Sequence, residues 1–458
     1  MSFFAIAIAI ATFIENDYGT IAAQAVIFSS WWLELCLFLL TIIFLWNIFK
    51  YKLYQIHRLP VLFLHLSFIF ILVGAGCTRY LGKEGVMRIR EGDFNNKFIS
   101  SSTFLSYKVH NNKSQYIGEK KVILSSLSNN NFSIPIQFDN NTIQIQYVDF
   151  IHDPIDDVLE DKYNREESVL EFVIPADNGG MQSKYLLENQ MKRINNLDIQ
   201  FISGQGDFIS SSDYEKDLTI IKDQNCDTCT FLFLSAYDVE YMKMSNQKKG
   251  VLPKSNLHYL NHKTLYTING RNIVFKNHFK NATLKKVSSG IKNDESKLDL
   301  LQVRVLVNTK DTIINLTGSK GVVSPKIYFD FGDFFFSLGY GSKTYSLPFA
   351  IFLKDFQLER YPGSDSPSSF ASEIQVLDGD KKMDYRIFMN NVLNYRGHRF
   401  FQSSYDSDEK GTILSVNKDK TGTIVTYFGY SCLLLSVISL LLSRFSRINL
   451  LSKKIKSN

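Results

Sequence analysis

The sequence predicts an integral membrane protein with about four α-helical spans and a large extracytoplasmic, mostly β domain of the antiparallel sandwich or barrel type. Three observations predict this class. Long apolar runs lie near both ends of the 458-residue chain. Alternating apolar and polar residues fill the middle, which is typical of half-buried strands. Basic residues next to the apolar runs assign a cytoplasmic side.

The helical spans follow from the length of the apolar runs. Residues 31–49, 61–80 and 424–443 match the roughly 20 residues of helix that the hydrocarbon core requires. Residues 3–14 would extend only about 18 Å as helix, so a first span there is predicted to be short or uncertain. Residues 1–80 are therefore expected to hold three N-terminal helices, and a fourth follows the outer domain.

Topology follows from the positions of the basic residues. Lys50, Lys52 and Arg58 lie between the second and third runs, and residues 444–458 form a basic tail. Because basic residues favour the cytoplasmic side, both segments are predicted to be inside. Residues 81–423 are then predicted to be the periplasmic domain. The net charge of +6 gives no reason to expect nucleic-acid binding, since part of the basic excess sits in these two segments.

Period-two alternation marks the strands of the outer domain. It is clearest in four segments, residues 142–150, 301–309, 372–379 and 411–419. Asn- and Lys-rich stretches at about 126–142 and 276–297 are predicted to be loops. The sequence has no GxSxG, HExxH, P-loop or dinucleotide-binding motif, so it offers no support for hydrolytic or nucleotide chemistry.

Cys226 and Cys229 form a CDTC motif in the predicted oxidising compartment. Such a motif can be a redox pair, half of a zinc site or a local disulfide. A haem-attachment site would need His at position 230, which is Thr230. No second CxxC or histidine cluster completes a zinc site, so a disulfide that closes a loop is the favoured interpretation.

His65 is the one ionisable residue in the apolar stretch LFLHLSFIFILVGAG, residues 62–76. It lies about 6 Å along the helix from the predicted cytoplasmic end, because it follows the first residue of the run by four positions. One interpretation is a hydrogen bond to a neighbouring helix. The other is an axial ligand for haem iron, since a neutral imidazole is a common ligand. The residues alone leave both open.

Two blocks of sequence carry a resemblance to a known family. The first includes LHLSF at 64–68 and GCTRYLGKEGVMRIREGDF at 76–94, and the second includes YRGHRFFQSSYD at 395–406. With a large domain between the third and fourth helices, they resemble the ResB/CcsB family of cytochrome c biogenesis proteins, the System II pathway. The resemblance covers most of the chain and is weakest over about 110–340.

The resemblance implies a membrane subunit of the cytochrome c synthetase, which carries haem b across the membrane with a CcsA-type protein for attachment to apocytochrome c. It implies that His65 is a haem axial ligand paired with a histidine of CcsA, with His57 as an alternative. Only Trp31, Trp32 and Trp46 are present, so the tryptophan-rich WWD ligation motif is missing. Any haem lyase activity is then expected to need the CcsA partner.

The resemblance also implies a location and further partners. It places the chain in a bacterial inner membrane, in contact with lipid, with its large domain in the periplasm, where a thiol reductant is a further possible partner. It leaves open whether the chain is a complete subunit or the front half of a CcsBA fusion. The competing interpretation is a tethered scaffold or binding module that stabilises CcsA, or docks apocytochrome, without binding haem.

Overall fold

The computed structural model describes residues 2–160, 168–176, 179–202, 218–225, 230–291 and 297–442. CDTC at 226–229 and the basic tail at 443–458 lie outside the described residues. Contacts divide the chain into two compact units. Met1–Asp153 and Gly290–Asn458 form the first unit, and Pro154–Ser289 form the second.

Four helices account for the apolar ends of the chain: α1 (Ser2–Ala23), α2 (Trp31–Lys50), α3 (Leu59–Leu81) and α4 (Lys420–Leu442). A π-helical turn, Gln24–Phe28, follows α1, and a 3₁₀ turn, Ile56–Arg58, precedes α3. Among the described residues, Phe3–Phe28 and the other three helices are long and apolar enough to cross a membrane.

The first helix extends well beyond the predicted 3–14. It continues through the polar sequence at 15–20 and bends at Gly19, whose φ of +83° is outside the helical region. A residue without Cβ adopts that conformation at little cost. The polar side chains therefore interrupt the hydropathy of this segment and Gly19 bends the helix, but neither ends it.

Twenty-seven strands are present in the described part of the chain. The first unit begins with β1 (Lys83–Arg90), β2 (Phe94–His110), β3 (Gln115–Lys121), β4 (Ser133–Phe138) and β5 (Asn141–His152). The second unit contains β6 (Pro154–Glu160), β7 (Val169–Pro175), β8 (Met181–Leu187), β9 (Met191–Ile194), β10 (Leu197–Ile202), β11 (Leu218–Asn225), β12 (Thr230–Ser235), β13 (Val239–Lys243), β14 (Lys249–Leu252), β15 (Leu257–Leu260), β16 (Thr264–Ile268), β17 (Arg271–Phe279) and β18 (Ala282–Ser288). The first unit then resumes with β19 (Asp299–Val307), β20 (Lys310–Gly318), β21 (Ile327–Phe331), β22 (Phe334–Arg360), β23 (Pro367–Asp378), β24 (Lys381–Phe388), β25 (Leu393–Tyr395), β26 (His398–Tyr405) and β27 (Gly411–Lys418).

The first unit is built on a ten-stranded sheet. Eight strands follow the order β24-β23-β22-β2-β1-β27-β26-β25, while β21 pairs with β22 and β3 pairs with β2. A four-stranded sheet, β20-β19-β5-β4, shares one apolar core with β2 and β22. A separate core of this unit takes residues from all eight strands of that path.

The second unit has its own core between a five-stranded sheet, β15-β12-β11-β10-β9, and a six-stranded sheet, β14-β13-β16-β17-β7-β8. Its aromatic centre includes Phe172, Phe201, Phe231 and Phe275. β10 and β11 pair in parallel, and the other pairings of this unit are antiparallel in the described residues. β6 and β18 form a two-stranded ribbon.

The predicted fold class, membrane-capable helices with a mostly antiparallel β region, is confirmed. All four alternating segments lie in strands, namely β5, β19, β23 and β27. The loops predicted at 126–142 and 276–297 are wrong in part, because β4, the whole of β18 and the end of β17 fall there. The polar residues of these segments lie on exposed strand faces, where Asn and Lys are tolerated.

Candidate functional site

The large sheet leads directly into two of the helices. Strand β1 begins two residues after α3 ends, and β27 ends two residues before α4 begins. β1 and β27 are paired along their whole length, from Lys83 opposite Lys418 to Arg90 opposite Gly411. The packed helices α3 and α4 therefore continue directly into the paired strands β1 and β27.

Helices α3 and α4 pack closely through small residues. A Cβ added at Gly74 would lie 2.9 Å from the backbone nitrogen of Thr426, and one at Gly429 would lie 3.1 Å from the backbone nitrogen of Ile71. Ser67, on the same face of α3, is fully buried. Small residues let helix backbones approach closely, which is the usual way that membrane helices gain packing energy.

Polar contacts hold both ends of this helix pair. Ser436 Oγ donates to the carbonyl of Pro60, at 2.8 Å. At the sheet end, the hydroxyl of Thr78 donates to the carboxylate of Asp419. The same carboxylate accepts the backbone N–H of Gly422, at 3.0 Å, and so caps the first turn of α4. The register of α3 against α4 is thus fixed by side chains at two levels.

His65 lies on the other side of α3, next to α2, and is half-buried. Its ring meets the ring of Phe44 edge to face, with centroids 5.5 Å apart and an interplanar angle of 86°. Phe44 also stacks on Phe68, at 5.3 Å. The imidazole is therefore held between its own helix and one aromatic side chain of α2.

One ring nitrogen of His65 is engaged within its own helix. Nδ1 lies 2.9 Å from the carbonyl oxygen of Val61, one turn earlier. A carbonyl oxygen only accepts, so Nδ1 must carry the proton, and in the neutral ring Nε2 then presents a lone pair. No described residue forms a hydrogen bond with Nε2. This is the tautomer and orientation in which an imidazole binds a metal through Nε2.

An ion pair joins α2 and α3 at the end nearest the sheet. The guanidinium of Arg79 pairs with Glu34 and also donates to the carbonyl of Phe28, at 2.7 Å. Both charged side chains are about one-third exposed, at 34% and 39%. The contact between α2 and α3 therefore rests on an ion pair at one end and on Phe44 near the other.

His57 is the second predicted ligand. His57 lies in the 3₁₀ turn before α3, and its side chain is outside what the structure describes. The structure describes no group of three or more His, Cys, Asp or Glu side chains that could hold a metal ion. Within the described part of the chain, His65 is thus a single potential ligand.

The motifs that carried the resemblance meet at the far end of β1 and β27. Asp406 has a side chain only 4% exposed, and its carboxylate pairs with Arg88 Nε at 2.7 Å and with Arg90 at 2.8 Å. Arg90 also pairs with the exposed Asp408 and holds the pKa of that carboxyl well below its ordinary value. The sequence singled out these residues only through the resemblance to a family. The structure shows that their ion pairs hold the turn between β26 and β27.

Two comparisons with known proteins bear on this chain. Residues 329–444 match the sequence model of the ResB-like family. The chain is also 29% identical over 457 residues to Protein NrfI of Wolinella succinogenes. The chain is thus similar to the ResB-like family over residues 329–444 and to NrfI along nearly its whole length. The resemblance to the ResB/CcsB family predicted from the sequence is confirmed.

The two matches differ in extent. The NrfI alignment covers 99% of this chain but 35% of NrfI, so the chain spans about a third of that relative's length. The family match begins in β21 and ends just after α4, so it contains Asp406 and the close-packed glycine of α4. His65 lies outside that segment.

Proposed function

We propose that this chain is a membrane subunit of the System II cytochrome c synthetase. In this proposal it works with a CcsA-type protein to carry haem b across the membrane for covalent attachment to apocytochrome c. The ResB-like match and the similarity to NrfI support a role in cytochrome c biogenesis. Haem is the cargo, and the residues of this chain bind and orient it.

The geometry of His65 is the observation that carries the haem proposal. The ring is half-buried among apolar side chains, its Nδ1 is engaged by Val61, and Nε2 has no hydrogen-bond partner in the described residues. An imidazole with that tautomer in an apolar environment is a good axial ligand, because ligation gives Nε2 a partner that neither lipid nor apolar side chains supply. The contact with Phe44 restricts the ring to one orientation.

A single histidine gives one of the two axial positions of haem iron. The second ligand must come from elsewhere, and a histidine on a CcsA-type partner is the proposed source. The α2 side of α3 is less closely packed than the α4 side, which gives a partner helix access to the His65 region. His57 is kept as a second, less favoured candidate on this chain.

The proposal also assigns an orientation. With Lys50, Lys52 and Arg58 on the cytoplasmic side, both β units lie in the periplasm of a bacterial inner membrane. His65 then lies near the cytoplasmic leaflet, where haem enters. The thioether chemistry occurs on the partner, and the β units guide apocytochrome or a thiol reductant.

The test measures haem in the co-purified complex with the CcsA-type partner. Wild-type complex should show a haem absorption spectrum, and His65→Ala should lose most of the bound haem. His262→Ala is a matched control, because its Nδ1 also lies near a backbone carbonyl, that of Lys276 at 3.1 Å, but in the second unit. Unchanged haem content in His65→Ala would show that the ligand assignment is wrong.

A second candidate function is a scaffold that stabilises CcsA and binds no haem. The close packing of α3 on α4 and its continuation into β1 and β27 favour it, since a rigid anchor needs those features and no ligand. A strain without this protein separates the outcomes. Loss of both CcsA and matured c-type cytochrome, restored in full by His65→Ala, would favour the scaffold. Normal cytochrome levels in that strain would contradict a biogenesis role altogether.

A further inference from the structure

Two lysines face each other where the sheet continues into α3 and α4. Lys83 and Lys418 are directly opposite in the β1 and β27 ladder. Directly opposed residues of an antiparallel pair project from the same face, with Cβ atoms about 5 Å apart. Like charges in that position destabilise the pair. The sheet therefore begins with an unfavourable arrangement on the strands that carry the two spans.

Within the described part of the chain, neither lysine has a carboxylate partner. No described acidic side chain forms an ion pair with Lys83 or Lys418, and both lysines are exposed. The acids next to them along the chain are engaged elsewhere, since Glu84 accepts from the side chain of Asn417 at 3.2 Å and Asp419 accepts from Thr78 and from the backbone of Gly422. Among the described residues, neither lysine beside the helix ends thus has an ion-pair partner.

An aromatic ring, a further lysine and a buried histidine surround Lys83 and Lys418. The ammonium of Lys83 lies over the ring of Tyr345, with 5.1 Å to the centroid. Lys343 lies over the same ring at 4.7 Å, although it also pairs with Glu119. His398 is 4% exposed, and its pKa is lowered first by burial and then by the charge of Lys418. Lys83, Lys343 and Lys418 therefore form a cationic cluster beside the ring of Tyr345.

The position of the cluster indicates the ligand. Lys83 is two residues beyond the last residue of α3, and Lys418 is two residues before the first residue of α4. For helices that cross a membrane, this is the level of the lipid headgroups. Lysines near anionic headgroups are favoured there by roughly 1 kcal/mol each. A headgroup phosphate between the two ammonium groups would convert their repulsion into attraction.

We propose that Lys83 and Lys418 form a binding site for the phosphate of an anionic phospholipid headgroup. The bound lipid bridges the two strands that continue from α3 and α4. It thereby stabilises the junction between the helix pair and the sheet. This site is separate from His65, and its failure would leave the proposed haem role untouched.

Native mass spectrometry of the full chain in detergent, titrated with phosphatidylglycerol, tests the site. Wild type should retain phosphatidylglycerol in preference to phosphatidylcholine, which has a phosphate but no net charge. Lys83→Gln/Lys418→Gln should weaken this binding at least tenfold, about what two lysines contribute near anionic headgroups. Lys83→Arg/Lys418→Arg should retain it.

Lys381→Gln/Lys382→Gln is the matched control, since both lysines are exposed at the start of β24 and have no described ion pair. This control should bind phosphatidylglycerol as wild type does. Equal loss in the control, or unchanged binding in Lys83→Gln/Lys418→Gln, would overturn the proposal. Displacement of the lipid by excess inorganic phosphate would show a site for free anions and would overturn the lipid assignment.

Thermal unfolding gives a second readout that does not depend on lipid retention in the gas phase. Phosphatidylglycerol should raise the thermal-unfolding midpoint of the wild-type protein, because a ligand that binds the folded state stabilises that state. The Lys83→Gln/Lys418→Gln variant should show no such rise, and without lipid its midpoint should be at least that of wild type. A lower lipid-free midpoint would mean that the lysines stabilise the fold through contacts within the protein.

Discussion

The two sides of helix α3 are built differently. On the α4 side, Gly74 and Ser67 are buried, and added methyl groups would collide with backbone atoms. On the α2 side, His65 is half-buried and Phe68 is 39% exposed, with Phe44 as the aromatic side chain that contacts both rings. One side is closed by protein, and the other leaves an imidazole nitrogen without a hydrogen-bond partner among the described residues.

This difference suggests a division of labour within one helix. The close-packed side joins α3 to α4 and, through β1 and β27, to the large sheet. The open side presents a polar ring at a fixed orientation. A helix that both anchors a domain and presents a ligand gains from this separation, because the anchor can be rigid while a partner reaches the ligand.

The largest expected effect comes from filling the close-packed side. Gly74→Leu forces side-chain atoms against the backbone of Thr426 and should lower the free energy of unfolding by about 3 kcal/mol, the upper range for overpacking. Gly76→Leu is the control, since no atom lies within 4 Å of a Cβ added there. Unfolding in mixed detergent micelles measures both. Equal losses would show that α3 and α4 do not pack as described.

Removing the cap of α4 should have the next largest effect. Asp419→Ala loses the bond to the Gly422 N–H and the bond from Thr78, and should cost about 1–2 kcal/mol. Asp419→Asn keeps an oxygen for the cap and should lose less. The same unfolding measurement tests this prediction. A greater loss of stability for Asp419→Asn than for Asp419→Ala would argue against the capping role.

A smaller effect is expected on the α2 side. Phe44→Leu removes the edge contact with His65 and the stack on Phe68, and should cost about 1 kcal/mol. Phe38→Leu, on a side chain 63% exposed, should change stability very little. If Phe44→Leu were as damaging as Gly74→Leu, the two sides of α3 would not differ as the structure indicates.

The smallest effect is expected for the ion pair between α2 and α3. A double-mutant cycle with Glu34→Gln and Arg79→Gln should give a coupling of less than about 1 kcal/mol, because both side chains are about one-third exposed. The coupling should fall as salt is added. A coupling of several kcal/mol would mean that the pair is shielded by contacts the structure does not show.

The sequence predicted those elements whose side-chain pattern reflects their surroundings. Residues 61–80 and 424–443 are apolar on all sides and were identified as spans. β5 and β27 alternate because one face of each is buried. The sequence did not predict β18 as a strand, because Lys285 and Lys286 are neighbours in it and both are exposed, which breaks the alternation. A two-stranded ribbon imposes only a weak alternation.

The candidate site was predictable only in part. His65 is conspicuous as an ionisable residue within an apolar run, and its depth along the helix follows from helical rise. The Val61 contact is local and consistent with that spacing. The contact with Phe44 and the opposition of Lys83 and Lys418 depend on how separate segments pair. Nothing in a single sequence specifies which residues meet across such distances.

The central claim, that His65 is a haem ligand, is tested most directly by chemical rescue. In the complex with a CcsA-type partner, His65→Gly should lose the haem spectrum, and added imidazole should restore it by occupying the vacated position. The close-packed side of α3 is unaffected by this change, so the variant should still assemble. A His65→Gly complex that keeps the wild-type haem spectrum without imidazole would contradict the claim.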